Sequence, residues 1–346
     1  MNRRKFIGNA AAGVAMVASA GTVFGKAKQE PVYGHNGLFY RQVKNWGVLN
    51  TARHPVNDCH EMVQDHQGRI FLLTNETRNN VLIYNTNGKL KASWGTEYPG
   101  AHGLSIAGEG ADQFLLITDT ERHQVFKTTL DGKVLMTLDY PEETKLYKNK
   151  EAYIPTETTV APNGDIYVAD GYGQQYILHY DANGKLKGWF GGRGEGDRFL
   201  DNAHGITIDS RGGSTTLLVT DRTRHCFKRF SLAGELLEII KLPGACVCRP
   251  VIQGDRIYAA VLRSPEISLE NSGFVTILDK KNRVVANIGG SAPVYQNDNL
   301  QTMHQELPLF RHPHDVCVDR DENLYVAQWA SGKVYPYKFE RVAKSR

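Results

Sequence analysis

A repeated unit constrains the fold of this 346-residue chain more than any other feature. Each copy holds an apolar β-branched run, a polar loop, a second alternating run, a turn such as NTNGK, LDGK or DANGK, and a further short run. The copies lie at residues 70–95, 114–133, 166–191, 217–235, 257–283 and 324–339. Because Asn-Gly and Asp-Gly turns join antiparallel strands, each copy predicts about four strands. Six such units predict an all-β, six-bladed β-propeller.

The last copy ends near residue 342 after its third strand, so it needs a fourth strand from elsewhere. The segment FYRQVKNWG (39–47) resembles the fourth strands LKASWG and LKGWFG of earlier copies. We therefore expect an N-terminal strand to join the last blade and close the ring, which removes an exposed sheet edge. Residues 37–346 are accordingly predicted to form one propeller domain.

Residues 1–27 differ in composition from the rest of the chain. They contain Arg3, Arg4 and Lys5 in NRRKFIG, then a small-residue apolar run from Ala10 to Ala20, and no acidic residue. This pattern is typical of a twin-arginine export signal and predicts a periplasmic or secreted protein, with 28–36 as a linker. The apolar run is too short for a stable membrane span, although a one-helix anchor is the alternative.

Charge and cysteine content narrow the range of partners. Residues 1–25 contribute three cations and no anions, so the formal net charge of +4 falls to +1 without them. A nearly neutral domain offers no electrostatic basis for binding nucleic acid. The five cysteines, an odd number in a chain predicted to be exported, indicate at least one free or metal-bound thiol.

Alignment of the strand that precedes each repeat brings histidines into register. The aligned segments are DCHEMVQD, GAHGLSIA, IPTETTVA, NAHGITID and HPHDVCVD, whereas VCRPVIQG of the fifth unit aligns less surely. The shared position is occupied by His60, His102, Thr156, His204 and His314. It is the start of the innermost strand, and in a propeller these starts surround the central channel.

Three of the aligned histidines belong to alternate blades. His102, His204 and His314 are expected about 120° apart on a six-fold ring, so that three imidazoles face one point on the axis. Three neutral imidazoles with an open fourth position are typical of catalytic zinc, although iron, copper or nickel would also accept them. His60 is a candidate fourth ligand or proton-transfer group. The alternative is a water-filled channel lined by histidines.

The loop after the second strand of each blade also faces the channel mouth. These loops carry Glu76, Arg78, Tyr172, Arg222 and Trp329. A tyrosine beside a metal is suited to act as a general base, because the cation lowers its pKa. An arginine offers a planar fork that matches a carboxylate. Each of these residues is otherwise interpreted as a solvated loop residue.

The motifs AHGLSI with TDTERHQVFK, PTETTVAPNGDIYVADGYG, AHGITID with VTDR, and PHDV resemble the peptidyl-α-hydroxyglycine α-amidating lyase family of NHL-repeat propellers. The similarity spans nearly all of residues 55–342. It implies that His102, His204 and His314 bind zinc, that Tyr172 is the base, and that Arg222 assists substrate binding. The implied reaction cleaves the C–N bond of a carbinolamide into an amide and glyoxylate.

The resemblance also implies a structural calcium, held by the Asp315 carboxylate and by the backbone carbonyls of Leu104 and Met62. Two positions depart from the family pattern. A second substrate-binding arginine is replaced by Asn75, although Arg78 lies close by in the sequence, and a methionine is replaced by His312. Together with Trp329, Arg78 and His312 are the candidate substrate-binding residues.

The leading interpretation is an exported metal-dependent propeller enzyme, lyase-like in its site, that acts on a small-molecule or peptide-derived substrate. A non-catalytic NHL propeller that binds a protein or glycan at the channel face is the alternative. A calcium-centred lactonase is less well supported, because such sites need clustered Asp, Glu and Asn, whereas this axis offers imidazoles.

Overall fold

The computed structural model describes residues 30–264 and 272–343, so the predicted export signal at 1–27 lies outside the described residues. From Pro31 onward the described residues form one compact unit. Almost all of its regular structure is β-strand, with short 3-10 turns at Gly110–Asp112, Glu142–Thr144 and Lys150–Ala152. Within the described ranges, no helix is long and apolar enough to cross a membrane.

The strands are grouped into six sheets, or blades, around a central axis. The N-terminal pair is β1 (Val32–His35) and β2 (Leu38–Val43). Blade one contains β3 (Cys59–Gln64), β4 (Ile70–Thr74), β5 (Val81–Tyr84) and β6 (Leu90–Trp94). Blade two contains β7 (Ala101–Ala107), β8 (Phe114–Asp119), β9 (Gln124–Thr129) and β10 (Val134–Leu138). Blade three contains β11 (Glu157–Val160), β12 (Ile166–Ala169), β13 (Tyr176–Tyr180) and β14 (Leu186–Gly191).

The second half of the chain repeats this organisation. Blade four contains β15 (Ile206–Asp209), β16 (Thr216–Asp221), β17 (Cys226–Phe230) and β18 (Leu236–Lys241). Blade five contains β19 (Val247–Gln253), β20 (Arg256–Val261), β21 (Phe274–Leu278) and β22 (Val284–Ile288). A small hairpin follows, made of β23 (Tyr295–Gln296) and β24 (Asn299–Leu300). Blade six contains β25 (Pro313–Val318), β26 (Leu324–Gln328) and β27 (Tyr337–Val342). The predicted six-bladed β-propeller is therefore confirmed.

The N-terminal strand closes the ring as predicted. Strand β2 pairs antiparallel with β27, with Phe39 opposite Val342, and becomes the fourth strand of blade six. Residues 32–35, assigned above to a linker, form a fifth and outermost strand instead. The reason is a two-residue hairpin turn in which both Asn36 (φ 49°) and Gly37 (φ 82°) have the positive φ values of a type I′ turn.

The hydrophobic core lies between neighbouring blades. One cluster joins Phe71 and Leu73 of blade one to Leu104, Leu115 and Ile117 of blade two, and similar clusters follow around the ring. Each inner strand (β3, β7, β11, β15, β19 and β25) contacts the next, and β25 contacts β3. The ring is thus continuous, and residues at the start of each inner strand meet at the axis. The five cysteines are all buried free thiols.

Candidate metal centre on the channel axis

Six buried residues, one from each blade, surround the axis at one height. They are His60, His102, Thr156, His204, Cys248 and His314. In blades one, two, five and six the pairing register shifts at this position, for example between Cys59 and Glu61 and between Pro313 and Asp315. Such β-bulges redirect side chains next to active sites. The bulges explain why four inner strands each direct one side chain toward the axis at the same level.

Four of these six side chains are imidazoles in mutual contact. The ring centroids of His102 and His314 are 5.0 Å apart, and each lies 4.8–4.9 Å from the rings of both His60 and His204. The candidate ligand atoms of His60, His102 and His314 all lie within 4.8 Å of one another. These three nitrogens therefore form one candidate donor group, and the predicted His204 adjoins it through its ring contacts with His102 and His314.

The protonation pattern of the imidazoles suits metal ligation. The Nδ1–H of His102 donates to the carbonyl of Thr156 (2.8 Å), and that of His314 donates to the carbonyl of His60 (3.0 Å). In a neutral imidazole this leaves Nε2 with a free lone pair, the arrangement found in metal-binding histidines. Burial lowers the pKa of His60 to about 3, and the pKa values of His102, His204 and His314 are also lowered, chiefly by burial. All four rings are therefore neutral and available as ligands.

Tyr172 reaches into this cluster. Its hydroxyl lies 3.1 Å from Nε2 of His102 and 3.0 Å from Nε2 of His204. Although 39% of the residue is exposed, burial of the hydroxyl end raises the pKa of Tyr172, and the charge of Arg222 opposes that rise. The structure thus brings the predicted base into hydrogen-bond contact with two of the predicted ligands.

Arg222 is buried beside Tyr172 and is already hydrogen-bonded. Its Nε donates to the carbonyl of Val247 (3.1 Å), and its Nη2 lies 3.0 Å from Sγ of Cys248. Burial raises the pKa of the Cys248 thiol, while Arg222 counteracts this effect. The sequence places Cys248 in a segment of uncertain alignment, and its role as a neighbour of Arg222 was not predicted.

The remaining predicted binding residues lie outside the imidazole cluster. Arg78 is exposed, and its Nε pairs with Glu76 at 3.0 Å. The rings of His312 and Trp329 pack at 6.0 Å, and 39% of Trp329 is exposed. Asn75 accepts a hydrogen bond from the backbone N–H of Asp58 (2.9 Å), so its side chain stabilises the loop before β3.

A second layer of residues lies one position further along each inner strand. Arg249 is buried there, with its guanidinium at the axis. Its Nη1 donates to the carbonyl of Leu104 (2.7 Å) and its Nη2 to the carbonyl of Met62 (3.1 Å). The same Nη2 lies 2.8 Å from Oδ2 of Asp315, and Nε lies 3.2 Å from Oδ1. All three groups expected to hold calcium are therefore hydrogen-bonded to an arginine, and these residues do not fit a calcium site.

Two further carboxylates face this guanidinium. Oε2 of Glu61 is 3.4 Å from Nη1 of Arg249, and Oε2 of Glu157 is 3.7 Å from its Nε. Burial raises the pKa values of both glutamates, and the charge of Arg249 opposes the rise. These residues could have been found from their position in the sequence. Glu61, Glu157, Arg249 and Asp315 each directly follow one of the six residues that surround the axis at the level of the histidines.

The chain resembles curated amidating lyases over most of its length, as the sequence motifs predicted. Peptidyl-α-hydroxyglycine α-amidating lyase 1 of Drosophila melanogaster is 28% identical over 284 residues, 74% of this chain and 48% of that protein. Lyase 2 of the same organism is 34% identical over 155 residues, 43% of this chain and 34% of that protein. The chain spans about half the length, or less, of the curated relatives it matches. No family model matches the chain.

Solved structures share the fold at low sequence identity. A gluconolactonase from Xanthomonas campestris has a TM-score of 0.61 and 13% identity, over 91% of this chain and 96% of that chain. A streptogramin B lyase has a TM-score of 0.57 and 13% identity, over 88% of this chain and 98% of that chain. At identities this low, the structural similarity shows a common propeller fold, and the reaction has to be inferred from the site residues.

Proposed function

We propose that this protein is a zinc-dependent lyase that cleaves the C–N bond of a peptidyl-α-hydroxyglycine-type carbinolamide. The observation that carries the proposal is the Tyr172 hydroxyl, which lies within 3.1 Å of the Nε2 atoms of both His102 and His204 inside a cluster of four neutral imidazoles. The likeness to amidating lyases over 74% of the chain supports the same reaction class.

The donor set fits zinc or a similar transition metal. His60, His102, His204 and His314 would supply the ligand nitrogens, and the buried Nδ1 atoms of His60 and His204 have no hydrogen-bond partner in the described part of the chain. When bound, the metal supplies a Lewis acid that polarises the substrate hydroxyl. Iron and copper accept the same donors, so metal content is part of the test.

The residues of the chain then divide the work of a balanced reaction. Tyr172 in its phenolate form, which a bound cation would favour by lowering the pKa of the hydroxyl, accepts the proton of the carbinolamide hydroxyl as the C=O bond of glyoxylate forms. The C–N bond breaks with its electron pair on nitrogen, which takes up the proton that Tyr172 has accepted, to give the amide. Arg222 lies next to the Tyr172 hydroxyl and is the candidate partner for the carboxylate end of the substrate.

The aromatic pair of exposed Trp329 and half-buried His312 is the candidate site for the rest of the substrate. Trp329 and His312 pack against each other, and Trp329 offers an exposed ring face for an apolar acyl or peptide segment. Arg78, which is exposed and paired with Glu76, is available to a charged substrate group only if that ion pair opens.

Metal content and glyoxylate release test the proposal together. The untagged protein is expected to contain about one transition metal per chain and to release glyoxylate from an α-hydroxyglycine peptide. Tyr172→Phe is expected to keep the metal and lower turnover by roughly 10²–10⁴-fold, as for loss of a general base. Tyr140→Phe, in a loop between blades two and three, is the matched control. Metal-free protein, or full turnover in Tyr172→Phe, would refute the proposal.

We also propose export through the twin-arginine route, to the periplasm or beyond. The basis is the NRRKFIG segment followed by a short apolar run. Replacement of both Arg3 and Arg4 by Lys is expected to retain the protein in the cytoplasm, as measured by fractionation. Lys26→Arg serves as a control outside the motif. Unchanged export of the double variant would contradict this route.

A further inference from the structure

We propose that Arg249 is a built-in replacement for a structural divalent cation at the axis of the propeller. Its three guanidinium nitrogens make five contacts with oxygen atoms at distances of 3.4 Å or less, four of them hydrogen bonds. These oxygens come from carboxylates and backbone carbonyls, the donor set that calcium selects in proteins. The planar, permanently charged guanidinium group donates hydrogen bonds to these oxygens, so they are satisfied without a bound ion.

The location of the guanidinium explains why one side chain suffices. Arg249 extends from the inner strand of blade five, and it contacts Met62 of blade one, Leu104 of blade two and Asp315 of blade six. Glu157 of blade three lies 3.7 Å away. One cation therefore links inner strands from opposite sides of the ring, as a central ion does.

Blade four contributes space in place of a ligand. A Cβ atom added at Gly205 would lie 2.5 Å from Cα and 3.0 Å from the backbone nitrogen of Arg249. Contacts this short with backbone atoms require the strand to move. The missing side chain at Gly205 therefore lets the Arg249 backbone approach the axis, and all six blades take part in this arrangement.

The charge balance explains why the position needs a cation. Three buried carboxyl groups (Glu61, Glu157 and Asp315) face one guanidinium, and Arg249 is the cation that faces them among the described residues. Removal of one partner from a buried charge network leaves the others uncompensated. Arg249→Ala therefore leaves a cavity that contains three carboxyl groups and two carbonyls, which is a vacant site for calcium.

Thermal unfolding with and without calcium tests the replacement. The melting temperature of the wild-type protein is expected to be the same in calcium-free buffer and in millimolar CaCl₂. Arg249→Ala is expected to melt roughly 5–10 °C lower without calcium, and calcium is expected to restore several degrees of that loss. MgCl₂ is expected to restore less, because Mg²⁺ demands a tighter octahedral geometry than this wide cage provides.

A second arginine provides the matched control. Arg211 also forms a two-point ion pair, with Asp209 at 2.7 and 3.0 Å, and also donates to two backbone carbonyls. Arg229 still neutralises Asp209 when Arg211 is removed. Arg211→Ala is therefore expected to melt at a lower temperature with no response to calcium. Equal calcium responses in the Arg211 and Arg249 variants would overturn the proposal.

Two further measurements keep the proposal testable if Arg249→Ala is poorly soluble. Arg249→Lys keeps the charge and is expected to melt between the wild type and Arg249→Ala, without calcium rescue. The wild-type protein itself is expected to bind no calcium by isothermal titration. Stoichiometric calcium binding by the wild type, or a calcium-dependent rise in its melting temperature, would overturn the replacement. Neither readout depends on lyase activity, so the two proposals fail separately.

Discussion

Thr156→Val is expected to destabilise the protein and to impair the candidate site together. Thr156 is fully buried, and its hydroxyl lies 3.0 Å from the carbonyl oxygen of Ala203 and accepts the N–H of Gly171 at 3.2 Å. Its own carbonyl accepts Nδ1–H of His102 at 2.8 Å. Thr156 therefore connects the loop before Tyr172, the residue before His204, and the ring of His102.

The magnitude follows from the bonds that valine cannot make. Valine has nearly the same shape, so the packing is kept, but the Gly171 N–H and the Ala203 carbonyl lose their partner in the interior. Each lost hydrogen bond contributes about 1 kcal/mol, and burial of an unpaired group adds to this, so the expected loss is about 2–3 kcal/mol. The loop that carries Tyr172 is then less well fixed, and turnover is expected to fall roughly ten- to a hundredfold.

The assay is urea unfolding at neutral pH, combined with glyoxylate release and metal analysis of the same preparation. Thr128→Val is the matched control, because the Thr128 hydroxyl is buried without a hydrogen-bond partner among the described residues. That variant is expected to lie within about 0.5 kcal/mol of the wild type. Thr156→Ser keeps the hydroxyl and is expected to retain most activity. Wild-type stability and turnover in Thr156→Val would refute the connecting role.

The remaining predictions concern stability. Gly205→Ala is expected to lower the free energy of unfolding by about 1–3 kcal/mol, because its Cβ would lie 2.5 Å from Cα of Arg249. Gly212→Ala is the control and is expected to leave the stability unchanged, because its Cβ would have no atom within 4 Å. Denaturant titrations that rank the two variants equally would contradict this. Burial alone would raise the pKa of Asp209, but hydrogen bonds from arginines lower it to about 2. Ionised Asp209 therefore contributes about 2 kcal/mol to the free energy of unfolding above pH ~4, and this contribution is lost as the pH falls toward 2. Asp209→Asn is expected to remove that contribution at pH 7, so that the free energy of unfolding falls less steeply with decreasing pH below about pH 4. The same steep fall in the variant and the wild type would contradict this.

The six-bladed fold was predictable because each blade repeats its turn chemistry. Asn-Gly and Asp-Gly pairs mark the hairpins, and Gly88, for example, has the positive φ of 86° that such a turn needs. The outermost strand β1 was missed, although the Asn36–Gly37 pair is the same signal. Its four residues are exposed or half-buried, so they lack the apolar alternation on which strand prediction depends.

The imidazole cluster was predictable from register alone, since four aligned histidines must converge at the axis of a closed ring. Which three nitrogens lie closest was not, because that depends on β-bulges in the inner strands. A bulge follows from local pairing geometry and leaves no fixed signature in the sequence. The close grouping of the His60, His102 and His314 nitrogens therefore needed the structure.

Arg249 was missed because blade five carries Cys248, and not histidine, at the aligned position. Without an imidazole as a marker, the register of VCRPVIQG is uncertain, and the sequence alone does not align Arg249 with Glu61, Glu157 and Asp315. With the register known, one cation and three acids occur at the same height. The guanidinium of Arg249 already binds the Asp315, Leu104 and Met62 oxygens that a further cation would need.

The strand that closes the ring also determines when folding can finish. Because β2 pairs with β27, Phe39 and Val342 must find each other across most of the polypeptide. Contacts of such long sequence separation slow folding, since loop closure precedes the stabilising interactions. Blade six therefore stays incomplete on a ribosome until the last strand has emerged. The same pairing holds the two ends of the propeller side by side, so the ring is a natural candidate for circular permutation, with new ends in any of its surface turns.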